Sequence, residues 1–326
     1  MEKISRRQAL QLTVAGAAGI AMGGCATGTS SSGLVASAEK QPVLTIAHLT
    51  DVHVKPEGKA PMGLRQVLRA VHALPNRPDV ILNGGDAIMD SLAATKERTE
   101  TQWALWKQIL KEENTLPVEN CIGNHDMWGW QKTKAGTTGN ESLYGVKMAL
   151  EQYGLEKPYR SWDRAGWHFI VLNSVQERGD EGYLPVLDNE QFEWLTGDLN
   201  STLKDTPVCI LSHVPILSVT PFFFSKEIVK EYQFKLIGAL AHQDVQRIRD
   251  LFALHSNIKL CLSGHDHLTD RVDYNGVTYI CNGAVSGNWW SGKFMDCQPG
   301  FATVRLYKDG SFDNTYHTYD WDPKAS

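Results

Sequence analysis

The stretch Leu262-Ser-Gly-His-Asp-His-Leu-Thr-Asp270 sets two imidazoles, His265 and His267, two residues apart, directly after the apolar run 258–262. An apolar run of that length reads as a buried strand, and the glycine behind it opens a loop. Two imidazoles so spaced in a loop can face one object. The arrangement has four counterparts upstream. Residues 43–47 lead into Thr50-Asp51-Val52-His53, 80–82 into Gly84-Gly85-Asp86, and 118–122 into Gly123-Asn124-His125-Asp126. Residues 208–211 lead into Ser212-His213-Val214-Pro215. Five strands thus end in a loop carrying Asp, His or Asn. In an α/β sheet the crevice at the carboxyl ends of the strands is where ligands bind, so these five loops should build one site.

The chain between these runs supports that reading. Leu64, Val67, Leu68, Val71 and Leu74 fall at helical spacing, as do Trp103, Trp106 and Leu110. Residues 189–203 and 243–254 also read as helices, and 167–172 as a further strand. Short apolar strands alternating with amphipathic helices define an α/β domain, here expected over residues 41–326. The runs 271–274, 277–281, 301–307 and 312–319 read as consecutive strands, with Asn275-Gly276 and Asp309-Gly310 as hairpin turns. Parallel units first and antiparallel hairpins last predict two packed sheets.

Imidazole and carboxylate together suit zinc, manganese or iron, and no thiolate stands among these loops. Two carboxylates, four histidines and an amide exceed what one open ion needs, but suit two divalent ions sharing a carboxylate. The ordered set Asp-x-His, Gly-Asp, Gly-Asn-His-Asp, a lone His and Gly-His-x-His resembles the calcineurin-like metallophosphoesterase superfamily over residues 44–268. The resemblance implies a four-layer α/β/β/α sandwich of two mixed sheets flanked by helices. It implies that Asp51, His53, Asp86 and His267 hold one ion and that Asn124, His213 and His265 hold the other, with Asp86 bridging. His125 would then be the proton donor to the leaving oxygen, and Asp126 would orient it. The reaction implied is hydrolysis of a phosphate mono- or diester by metal-bound hydroxide. The purple acid phosphatase branch has Tyr three residues after the bridging Asp; Met89 stands there, which excludes that branch. Two alternatives are an exported metal- or phosphate-ligand-binding lipoprotein without activity, and a nuclease of the same superfamily. The first should lack the proton donor or the bridging carboxylate, and His125 and Asp86 are both present.

The first 40 residues differ in kind. Ser5-Arg6-Arg7 precedes a weakly apolar stretch, 12–22, and then Gly23-Gly24-Cys25 and a Ser/Thr/Gly run. Basic head, short apolar segment and small-residue exit describe an export signal of twin-arginine type, the apolar part being too short for a spanning helix of about 20 residues. Gly-Gly-Cys resembles a lipoprotein box, which makes Cys25 the expected lipidation site and that lipid the only membrane attachment of an exported protein; Ala36-Ser37-Ala38 offers ordinary signal cleavage as the alternative. Cleavage before Cys25 would leave 29 basic and 36 acidic residues. That balance disfavours long nucleic acids and fits a small phosphate ester. Cys121, Cys209, Cys261 and Cys281 lie in strand-like runs as buried thiols, although export would permit a Cys281–Cys297 disulfide. Gly287 to Lys293 imitates a phosphate-binding loop but has Phe294 where Ser or Thr must stand, and lies among hairpins. Trp128, Trp130, Phe222, Phe223, Phe224, Trp289 and Trp290 follow the loops closely enough to stack a substrate or to pack a lid.

Overall fold

Near-continuous apolar strands need cover on both faces. The computed structural model, which describes residues 40–224, 228–229 and 233–323, supplies it in two mixed sheets. The first sheet runs Phe312–Thr318, Gly300–Leu306, Leu44–Leu49, Val80–Asn83, Val118–Asn120, its last three strands parallel. The second runs Asp270–Tyr274, Val277–Cys281, Ile258–Ser263, Val208–Ser212, Trp167–Leu172, Arg160–Arg164, parallel in its four central strands. Three cores separate four layers. Leu44, Ile46, Leu82, Phe169, Val171, Cys209, Leu211, Leu260 and Leu262 pack between the sheets. Leu49 and Ile81 face the helices Ala60–His72 and Lys96–Glu113, through Leu64, Leu68, Trp103 and Trp106. Ile170, Val208 and Ile210 face Asn189–Ser201 and Val245–Phe252, through Leu195, Leu199, Ile248 and Phe252. The alternation slips once: Ile258 and Leu260 lie in different cores because the register shifts between them.

The two C-terminal hairpins are divided between the sheets: Asp270–Tyr274/Val277–Cys281 completes the second sheet and Gly300–Leu306/Phe312–Thr318 the first. The Cys281–Cys297 pair is not formed; both are buried free thiols, Cys281 Sγ facing Gly264 O at 3.1 Å and Cys297 Sγ facing Tyr316 Oη at 3.8 Å. Residues 1–39, with the expected export segment and Cys25, lie outside the described residues. Among the described residues no helix is long and apolar enough to cross a membrane.

Candidate dinuclear metal centre

Backbone bonds join four of the five loops in pairs. Asp51 N–H donates to Gly85 O (3.1 Å), His53 N–H to Asp86 O (2.9 Å) and Val54 N–H to Ala87 O (3.0 Å), so the first two loops continue the parallel pairing of their strands. Gly264 N–H donates to His213 O (3.0 Å), joining the last two. Two glycines permit this approach: a Cβ on Gly264 would lie 2.3 Å from Asp51 Oδ2, and one on Gly123 2.1 Å from Asp86 Oδ1. Asp51, His53, Asp86, His265 and His267 all have left-handed backbone, with φ between 49° and 71°. Each costs about 1–3 kcal/mol, and such strain survives only where the surrounding structure over-determines it.

Each carboxylate is half used. Asp51 Oδ2 accepts from Thr50 Oγ1 (2.6 Å) and from His265 N–H (2.9 Å), while its buried Oδ1 has no hydrogen-bond partner. That Oδ1 lies 3.5 Å from His267 Nε2 and 3.9 Å from His53 Nε2. Asp86 Oδ1 accepts from His125 N–H (2.8 Å). Its Oδ2 stands between two imidazoles, 3.7 Å from His53 Nε2 and 3.2 Å from His213 Nε2.

The imidazoles are held to match. A carbonyl only accepts, so it fixes the N–H of the nitrogen facing it and leaves the other nitrogen's lone pair free when the ring is neutral. His213 Nδ1 faces Gly84 O (2.9 Å), His267 Nδ1 faces Gly287 O (2.6 Å), and His265 Nε2 faces Ala239 O (2.9 Å). The remaining nitrogens meet in the site: His267 Nε2 is 3.1 Å from His53 Nε2, and His213 Nε2 is 3.3 Å from His265 Nδ1 and 3.1 Å from Asn124 Oδ1. In the His213–His265 pair both tautomers are fixed by carbonyls, so two lone pairs face one another at 3.3 Å and need positive charge between them. Without a cation the charge comes as protons. Burial lowers the pKa of His213, but Asp86 and Asp51 outweigh it and lift it to about 10; His267 is likewise raised by Asp51 against its burial. Metal binding replaces such protons. The donors therefore fit two ions: Asp51, His53 and His267 around one, Asn124, His213 and His265 around the other, with Asp86 Oδ2 facing both groups.

The sequence profile of calcineurin-like phosphoesterases matches residues 44–268, more than two thirds of the chain. The chain belongs to this family. It is a metal-dependent phosphoric ester hydrolase. Relatives include a probable cyclic nucleotide phosphodiesterase of Synechococcus, 25% identical over 86% of this chain and 94% of that protein. A 3′,5′-cyclic-nucleotide phosphodiesterase of Nostoc is 25% identical over 84% of this chain and 91% of that protein. A dimetal phosphatase from Danio rerio shares the fold, with a TM-score of 0.57 at 16% identity over 86% of this chain and all of its own.

Within the phosphoesterase, His125 stands at the rim with a quarter of its side chain exposed, edge-on to the His53 ring (centroids 4.8 Å apart). Asp126 does not orient it. The Asp126 carboxylate accepts from the N–H groups of Asp86 (3.0 Å), Ala87 (3.0 Å) and Gly123 (2.9 Å), tying the third loop to the second. The carboxylate that faces His125 Nδ1 is that of Asp90, 3.9 Å away. Asp126→Asn would turn an NH₂ toward N–H donors and free the Asp86 loop. A supporting residue of this kind contributes about 10–100-fold to metal affinity, so metal titration of the stripped variant should show a loss in that range, with activity recovering in excess metal. Unchanged affinity with a lower kcat at saturating metal would restore the orienting role.

Asp90, and Tyr183, whose hydroxyl lies 3.3 Å from His265 Nε2 on a short hairpin, also border the site. Neither belongs to one of the five strand ends, so no pattern singled them out. Of the aromatic residues, Trp128, Trp130 and Trp290 are buried core. Phe222 and Phe223 are exposed. Trp289 is half-buried beside His267, with ring centroids 4.7 Å apart.

Proposed function

We propose that this phosphoesterase hydrolyses a small phosphodiester, foremost a 3′,5′-cyclic nucleotide, with two divalent ions of Mn, Zn or Fe. The observation that carries the two-ion reading is the position of Asp86 Oδ2 between His53 and His213. Bound there, the ions would supply a hydroxide nucleophile at neutral pH and charge to neutralise the phosphoryl oxygens. Asp51, His53 and His267 would hold one ion, Asn124, His213 and His265 the other, with Asp86 shared between them. Asn124, in the second group, also has an amide N–H₂ to offer a phosphoryl oxygen. His125 protonates the departing alkoxide from the His53 side. The choice of a cyclic nucleotide rests on the names of the two relatives above, which align along most of the chain. The acidic balance of the sequence agrees with a small substrate rather than a polynucleotide.

Metal-stripped protein reloaded with manganese, zinc or iron should regain hydrolysis of 3′,5′-cyclic nucleotides in step with a second ion per chain, followed by elemental analysis. Full activity at one ion per chain, with no gain from a second, would overturn the two-ion reading. Activity confined to monoesters would overturn the diester reading.

A further inference from the structure

The twin tryptophans of Gly287-Asn288-Trp289-Trp290 face different surroundings, and the difference has a use. Trp290 is an anchor: its ring is buried in the core, and its indole N–H donates to His53 O (3.1 Å). Ser286 adds two bonds to the same turn, from its Oγ (2.7 Å) and its N–H (3.2 Å) to Asp51 O. Gly287 O accepts from His267 Nδ1. The loop is therefore bolted to all three residues that surround the first ion position. Trp289 rides on it with left-handed backbone (φ 46°), which a bulky residue adopts only under constraint. Its half-buried ring lies 4.7 Å from His267, 6.0 Å from His53 and 5.7 Å from Phe294, centroid to centroid. Phe294 in turn stacks on Phe224, 5.9 Å away. Three aromatic rings thus run outward from the His53/His267 side of the metal centre.

His125 and Trp289 thus flank one imidazole, that of His53, at centroid distances of 4.8 and 6.0 Å. The part of an ester that receives the proton from His125 departs beside this wall. We propose that Trp289, backed by Phe294 and Phe224, stacks the flat ring carried by the leaving portion of the substrate, the nucleobase of a nucleotide ester, and so sets the preference of the enzyme for aromatic over non-aromatic phosphodiesters. This rests on the phosphodiester reading given above. Stacking is sequence-tolerant, because every base has a π-face, so the wall selects for a ring and discriminates weakly between adenine and guanine.

The test compares kcat/KM for 3′,5′-cyclic AMP and 3′,5′-cyclic GMP with that for glycerophosphocholine, a diester without a ring, in Mn-reconstituted enzyme of measured metal content. Replacing Trp289 removes one stacked base, a loss of about 5- to 150-fold. In Trp289→Leu, which keeps apolar bulk against His267 but removes the π-face, the ratio of nucleotide to glycerophosphocholine efficiency should fall within that range. Trp289→Phe should recover most of it. Phe294→Leu should also lower the ratio, but less, since the Phe294 ring stands 5.7 Å from His267 where that of Trp289 stands 4.7 Å away. Equal losses on ring-bearing and ringless esters at full metal content would overturn the stacking role and leave the phosphoesterase reading standing. A wild-type enzyme that favours glycerophosphocholine would also overturn it and would make the rings a seat for an acyl or choline-bearing group. A wild-type enzyme that cleaves neither class would sink the phosphodiester reading itself.

Discussion

Asp86→Ala should lose both metal ions and, with them, turnover by more than the 10⁴-fold or so that marks the upper range for a single proton donor. Asp86 is the residue whose one carboxylate oxygen faces both donor groups, at 3.7 Å from His53 Nε2 and 3.2 Å from His213 Nε2. Removing any other proposed ligand weakens one ion; removing this one weakens both. Asp86→Asn separates charge from shape. The amide oxygen can still accept the His125 N–H that Asp86 Oδ1 accepts at 2.8 Å, so the third loop keeps its anchor while the site loses its shared negative charge. Metal content by elemental analysis, read beside kcat/KM, decides the matter. Retention of one full ion and of activity within tenfold of wild type, in either variant, would show that Asp86 does not bridge.

The five strand-end loops were legible because each donor follows directly on an apolar run, and a parallel sheet delivers the carboxyl ends of its strands to one edge. Side-chain direction within those loops was not legible. Asn124–Asp126 forms a 3₁₀ turn, in which successive side chains diverge by about a third of a turn, so Asp126 points back to the Asp86 loop and not along His125. Asp90 lies four residues past the Gly-Asp block and reaches His125 only because its own loop folds back; Gln102 holds that loop, donating from Nε2 to Asp90 O (2.9 Å). The C-terminal hairpins were legible as hairpins from their Asn-Gly and Asp-Gly turns. Which sheet each joins depends on the partner its inner strand finds: Val277–Cys281 runs parallel to Ile258–Ser263, whereas Gly300–Leu306 runs antiparallel to Leu44–Leu49. Local patterning does not encode that choice. Trp289 and Trp290 read alike in sequence; left-handed backbone at both positions sends one ring to the core and the other to the metal centre.

His125→Ala should behave in the opposite way to Asp86→Ala, keeping both ions while kcat falls by about 10²–10⁴-fold. The geometry leaves two roles open to this imidazole, because a nitrogen of His125 groups with His53 and Asp86 closely enough to touch an ion. Position at the rim, with a quarter of its side chain exposed, argues for the proton donor, since a donor must reach the leaving oxygen as it departs. The two roles separate on leaving-group dependence. A donor matters most when the departing oxygen is a poor leaving group, so the loss should be large on 3′,5′-cyclic AMP and shrink toward nothing on bis-(p-nitrophenyl) phosphate, whose nitrophenolate departs without a proton. A ligand matters equally for both, and its loss shows in the metal content. A His125→Ala enzyme that loses one ion, or loses the same factor on both esters, would make His125 a ligand.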